Sequence, residues 1–174
     1  GNDELLGMGG NDVLTGGDGD DRYRFDDDLN QGIDSIFEDV GAGGVDVLDF
    51  SDTTAGLTID LGRGIPQVVV LGFHVLQLVT CHSIENVIGG SGNDVITGNS
   101  LDNVLEGGPG NDSLTGEMGD DTYVFDADAA LGTDTLNEAA DSEGGIDTLD
   151  FRATTATGIS LNLGLDRKST RLNS

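Results

Sequence analysis

The sequence predicts an all-β protein, a right-handed parallel β-roll (a β-solenoid) wound from glycine-rich nonapeptides. Three observations carry that expectation. Residues 10–25 read GNDVLTGGDGDDRYRF and residues 110–125 read GNDSLTGEMGDDTYVF, identical at 11 of 16 positions with an offset of 100. A shorter period of nine runs inside each unit, of the form G-G-x-G-x-D-x-U-x with U a large apolar residue. Glycine supplies 29 of 174 residues, and aspartate makes up most of the 33 acids, a composition of turns rather than of helix surfaces.

Taken in order, residues 1–25 form a first array. It enters part-way through a row with Asp3 and Leu5, then sets Asp12 and Leu14, and then Asp21 and Tyr23, at positions six and eight. A connecting segment, 26–88, follows. Leu57, Ile59 and Leu61 alternate there in period two, and 68–71, 75–79 and 84–88 read as short apolar strands. The second array, 89–125, has four rows with Asp94, Asn103, Asp112 and Asp121 at position six and Ile96, Leu105, Leu114 and Tyr123 at position eight. A second connecting segment, 126–165, repeats the first through Ile159, Leu161 and Leu163. Both segments are expected to extend the solenoid or pack beside it as small rungs without metal. Residues 136–140 are expected to make at most one helical turn. The tail, 166–174, holds three of the seven basic residues and has no counterpart in the first unit, so it is read as non-native and left out of the fold. The whole reads as a piece of a longer protein.

The spacing implies a chemistry. Six residues of each row turn the chain, with glycine where φ is positive, and the last three point one apolar side chain inward. Two rows make one coil, so residues 18 apart stack at roughly 4.8 Å. Position-six aspartates then face each other across adjacent turns, with backbone carbonyls directed into the same gap. About six such oxygens at about 2.3–2.6 Å suit Ca²⁺, whereas Mg²⁺ demands shorter, octahedral contacts. The pairs are Asp3 with Asp21, Asp94 with Asp112, and Asn103 with Asp121. The last is expected to be weak or empty, because one carboxylate is an amide and Leu101 replaces a glycine. Asp12 shares the register, although no complete row follows it 18 residues on. Carbonyl ligands are expected from Gly1, Gly17, Gly19, Gly90, Gly92, Gly108 and Gly110. A lone aspartate in a turn caps its own backbone; a set in fixed register with glycines favours metal. Asp26, Asp27, Asp28, Asp126 and Asp128 fall outside that register and read as solvated ends.

Other functions are excluded. A formal charge of −26 repels phosphate backbones, which argues against nucleic acid as a partner. The longest apolar run, 68–79, is interrupted by Gly72, His74 and Gln77 and is too short to span a bilayer. Cys81 is the single cysteine, so no internal disulfide forms. His74 and His82 lack zinc spacing and a third ligand, and read as packed or surface residues. H-E-x-x-H is absent, Gly89-Gly90-Ser91-Gly92 is followed by Asn93 instead of the glycine of a nucleophile elbow, and Lys168 is the only lysine, which excludes a P-loop. No catalytic residue is expected.

Over residues 1–25 and 89–125 the rows resemble the RTX, or haemolysin-type calcium-binding, repeats of proteins exported by Gram-negative bacteria. The resemblance implies Ca²⁺ as cofactor and an extracellular location. It also implies export of an unfolded chain by type I secretion machinery from a calcium-poor cytosol, with folding on calcium outside. On that basis the chain is expected to be a calcium-binding module of a larger exported protein. Two alternatives remain: the carboxy-terminal repeat region of a secreted hydrolase, toxin or polysaccharide-modifying enzyme, or a stalk segment of a large adhesin.

Overall fold

A row that uses six residues to turn leaves three extended, and the chain accordingly folds into very short strands. The computed structural model describes residues 1–26, 32–38, 43–71, 74–80, 83–125, 132–137 and 145–151, and the backbone of 171–173; no helix occurs among them. The first array forms β1 (Glu4–Gly7), β2 (Val13–Thr15) and β3 (Arg22–Phe25). The connecting segment forms β4 (Gly32–Phe37), β5 (Val47–Asp49), β6 (Thr58–Asp60), β7 (Gln67–Val70), β8 (His74–Leu78) and β9 (Asn86–Ile88). The second array forms β10 (Val95–Thr97), β11 (Val104–Glu106), β12 (Ser113–Thr115) and β13 (Thr122–Val124). Beyond it lie β14 (Thr135–Asn137), β15 (Thr148–Asp150) and β16 (Arg171–Asn173).

These strands wind into a parallel β-roll. One face is a continuous eight-stranded sheet in the order β1-β3-β5-β9-β11-β13-β15-β16. The other face divides into two four-stranded sheets, β2-β4-β8-β7 and β14-β12-β10-β6. The division falls at β7, which alone among the described strands runs antiparallel to its neighbour, β8. Gln67 spans the break: its side chain accepts from the Asp60 N–H at 2.8 Å and donates to the Asp60 carbonyl at 3.0 Å.

The core is built in columns. Leu5 stands beside Tyr23, Val87 beside Leu105, Leu105 beside Tyr123 and Ile96 beside Leu114, each pair 18 residues apart. Longer turns stretch the step elsewhere, and both units stretch it alike. Leu14 meets Ile36 and Leu114 meets Leu136 after 22 residues; Tyr23 meets Leu48 after 25 and Tyr123 meets Leu149 after 26. Tyr23, Ile96, Leu105, Leu114 and Tyr123 are fully buried. Leu5 and Leu14 are half-buried, because their coil has a neighbour on one side only. Burying such a column is the main driving force for the roll.

Two sequence expectations change. Leu136 and Asn137 lie in β14 instead of a helical turn, since Leu136 continues the apolar column over Leu114. Residues 171–173 of the tail, set aside above, pair in parallel with β15. His74 is buried, its ring centroid 5.0 Å from that of Phe25, which stacks on Phe50 at 5.4 Å. Asp26 is exposed. Cys81, His82, Asp27, Asp28, Asp126, Asp128 and the alternation at 159–163 lie outside the described residues.

Candidate metal centre

Position six of each row sits where the turn enters the strand, and stacking the coils stacks these residues into ladders along the two edges of the roll. On one edge the Asp3 N–H donates to Asp21 Oδ1 (2.7 Å), Asp21 N–H to Asp46 Oδ1 (2.8 Å) and Asp46 N–H to Glu85 Oε2 (2.8 Å). The ladder continues with Asn103 N–H to Asp121 Oδ1 (2.8 Å) and Asp121 N–H to Asp147 Oδ1 (3.2 Å). The opposite edge repeats the rule from Asp12 N–H to Asp34 Oδ1 (2.7 Å), and again from Leu57 to Asp94, Asp94 to Asp112 and Asp112 to Asp134 (2.8–3.0 Å). Each carboxylate thus reaches back to cap the backbone of the preceding coil.

The structure sets the members of the three pairs read from the sequence in hydrogen-bond contact across adjacent coils. Asp12 does not stand alone: its partner is Asp34, at 22 residues instead of 18, because the turn between them is longer. Asp34, Asp46, Glu85, Asp134 and Asp147 were not among the expected residues. Four of them carry a half-motif, G-x-D-x-U, in Gly32–Ile36, Gly44–Leu48, Gly132–Leu136 and Gly145–Leu149. Glu85 has no such glycine. A second ladder, at position five, also went unread. There the side chains of Asn2, Asn11, Asp20, Asn93, Asp102, Asn111 and Asp120 accept N–H groups from the following coil.

The glycines leave room for this stacking. A Cβ on Gly19 (φ 118°) would strike the Gly1 carbonyl, one on Gly108 (φ 87°) the Gly90 carbonyl, one on Gly110 the Gly92 carbonyl and one on Gly132 the Gly110 carbonyl. The carbonyls of Gly1, Gly90, Gly92 and Gly110 therefore abut the next turn. Gly17 donates its N–H to Glu38 Oε2 at 3.2 Å.

What the backbone does not supply is a partner for the second oxygen. Asp21 and Asp112 use Oδ1 in the ladder, and they and Asp12 each leave Oδ2 buried with no hydrogen-bond partner. Burying an acceptor-only carboxylate oxygen unpaired is costly, and a hard cation relieves it. The electrostatics agree. Burial, together with the charges of Asp94 and Asp134, pushes the Asp112 carboxyl up to about 6, and burial raises Asp94 and Asp134 as well. Asp49 makes the contrast. It is buried too, yet hydrogen bonds from Ser51 and its contact with Arg22 (2.6 Å) outweigh burial and hold its carboxyl low. Where the protein brings its own donors the charge is settled; at Asp94, Asp112 and Asp134 it is not. These donor sets fit Ca²⁺: oxygen only, anionic and recessed.

A family model described as the RTX calcium-binding nonapeptide repeat (4 copies) matches the chain over residues 1–31, 84–100 and 97–130. The two arrays are RTX calcium-binding repeats. Among characterised proteins the chain is similar to serralysin of Proteus mirabilis, 38% identical over 105 residues, and to serralysin G of Dickeya chrysanthemi, 38% identical over 88. The matches cover 50% and 51% of this chain but only 19% and 18% of those proteins. The RTX rows make this a calcium-binding repeat module.

One RTX rung is held differently. Asn103 Nδ2 donates to the Glu85 carbonyl at 2.8 Å, and Asn99 Nδ2 donates to the Ile84 carbonyl at 2.9 Å. Asn103 Oδ1 accepts the Asn99 N–H at 2.9 Å. The amides supply internally the positive ends that a cation brings to a carboxylate rung.

Proposed function

We propose that this chain is a calcium-folded β-roll module of a protein exported from a bacterium, compact outside the cell and unfolded where calcium is scarce. Asp3, Asp12, Asp21, Asp94, Asp112 and Asp121, with glycine carbonyls of the same turns, hold the ions; Asn103 leaves its rung to the amides. The supporting observation is the set of buried carboxylate oxygens without partners at Asp12, Asp21 and Asp112. Without cation, a chain of charge −26 repels itself, and ordering each residue costs about 1–2 kcal/mol of backbone entropy. Each bound ion neutralises carboxylates and ties two turns, so binding energy becomes folding energy. The export route implied by the repeats is type I secretion, and the location extracellular.

In chelator the chain is expected to be expanded, and millimolar Ca²⁺ should give a β-type circular dichroism spectrum and a smaller hydrodynamic radius together. Mg²⁺ screens charge almost as well but coordinates poorly in these loops. Compaction by Mg²⁺ or NaCl as complete as by Ca²⁺ would refute the reading. The similarity to serralysins favours a second, wider reading, the carboxy-terminal repeat region of a secreted enzyme, with the chemistry in sequence outside this chain. Upstream sequence carrying a catalytic motif would establish it; further copies of the 100-residue unit would favour a stalk.

A further inference from the structure

Three carboxylates converge where the first array passes into the connecting segment. Asp21, Glu38 and Asp46 are all buried, at 1%, 4% and 6% exposure, and offer oxygens within 4.8 Å of one another. The topology brings them together. Asp21 precedes β3, Asp46 precedes the adjacent strand β5, and Glu38 follows β4 as the chain leaves the opposite sheet. Glu38 stands where a row would open on glycine, and its side chain reaches over Gly16. A Cβ on Gly16 would fall among Asp21 Oδ2, a Glu38 oxygen and the Tyr23 hydroxyl. That cradle is held from several sides. Tyr23 donates its hydroxyl to Glu38 Oε1, the Gly16 N–H donates to the Tyr23 oxygen at 2.7 Å, and the Asp21 N–H donates to Asp46 Oδ1 at 2.8 Å. Asp21 Oδ2 is buried with no hydrogen-bond partner and is directed at the same point beside Gly16.

We infer that Asp21, Glu38 and Asp46 form a further calcium site closing the first array, with Glu38 supplying a ligand that no position of the nonapeptide provides. It rests on the calcium reading above and extends it to residues outside the repeat. The donors are all oxygen, which selects a hard cation. Oxygens no more than 4.8 Å apart lie within the span of two opposite bonds of about 2.3–2.6 Å to Ca²⁺. Burial and the charges of Glu38, Glu85 and Asp21 raise the Asp46 carboxyl to about 7, so the cluster carries more negative charge than its local donors offset. The sequence also repeats the set: Asp121, Tyr123, Glu138 and Asp147 stand 100 or 101 residues beyond Asp21, Tyr23, Glu38 and Asp46, with Glu138 outside the described residues.

The full 174-residue chain offers a direct test, because its two tyrosines and absence of tryptophan leave few antennae for Tb³⁺. In Y123F, Tb³⁺ luminescence excited through Tyr23 should appear and be displaced by Ca²⁺. Adding E38Q should remove most of that signal and one ion from the calorimetric calcium count. A count and signal unchanged by E38Q, while D112N lowers the count, would overturn this site and leave the calcium function standing; no calcium binding by the parent chain would overturn both. Should E38Q fail to compact in saturating Ca²⁺, Y123F carrying D3N, which removes the second carboxylate of the Asp3–Asp21 pair and keeps Glu38, decides the matter: calcium-displaceable luminescence supports the site and its absence refutes it.

Discussion

The Asp94 N–H donates to Asp112 Oδ1 across 2.8 Å while Asp112 Oδ2 lies buried beside it without a partner. One carboxylate thus does two jobs, capping a turn with one oxygen and leaving the other for a cation.

Replacing that residue separates the two. Asp112→Ala should lower the calcium count by one ion and, by stranding the Asp94 N–H, destabilise the calcium-bound roll by about 1–3 kcal/mol. Asp52, half-exposed and paired with Arg24 outside the ladders, is the control, and Asp52→Ala should leave the count unchanged. Titration calorimetry and thermal unfolding in saturating Ca²⁺ measure both; equal losses of ions in the two variants would refute the pairing.

Asn103→Asp tests the amide rung. The change removes the donor to the Glu85 carbonyl and places a carboxylate opposite Asp121. Compaction should then need more calcium than in the parent chain, read as a higher Ca²⁺ midpoint by circular dichroism. An unchanged or lower midpoint would show that the amides are not standing in for an ion.

Acidification should act in opposite directions with and without metal. Burial raises Asp112 to about 6 and Asp46 to about 7, so the metal-free fold holds these protons more tightly than the unfolded chain does. Their contribution to apo stability is therefore fully present below the ordinary carboxylate value near ~3.9 and is lost as pH rises through ~6–7. In chelator, lowering pH from ~8 to ~5 should increase β structure. In calcium the same step should weaken binding, since the ligands must be ionised. Circular dichroism in chelator and calcium midpoints at both pH values check the two signs; loss of apo structure on acidification would contradict the first.

The rows of the two arrays were legible because G-x-D and the apolar residue two places on recur at a period the chain keeps exactly where Leu5 meets Tyr23 and Leu105 meets Tyr123. Asp34 and Asp46 were not, since their turns are longer by four and seven residues and the count of 18 passes over them. Their half-motifs were visible, but only the pairing of β4 with β2 and of β5 with β3 gives those a register. Glu85 and Glu38 carry no local signal at all: one follows an isoleucine in a glycine-free stretch, and the other becomes a neighbour of Gly16 through the winding of the coil. The position-five ladder was hidden for another reason, because Asn and Asp in turns are common enough to pass as ordinary loop residues.

The buried ladder has a direction. Among the described residues, the position-six carboxylates from Asp21 onward cap the coil before them, so each such coil is completed by the one that follows. Truncation should therefore be felt unequally from the two sides. Removing a coil on the carboxyl side strips an acceptor from a buried amide, as losing Asp134 would do to Asp112; removing one on the amino side bares a carboxylate that water can solvate. The position-five ladder runs the other way, but it lies on the outside, where water replaces whatever is cut off. The roll is thus a polar stack, finished only from its carboxyl end.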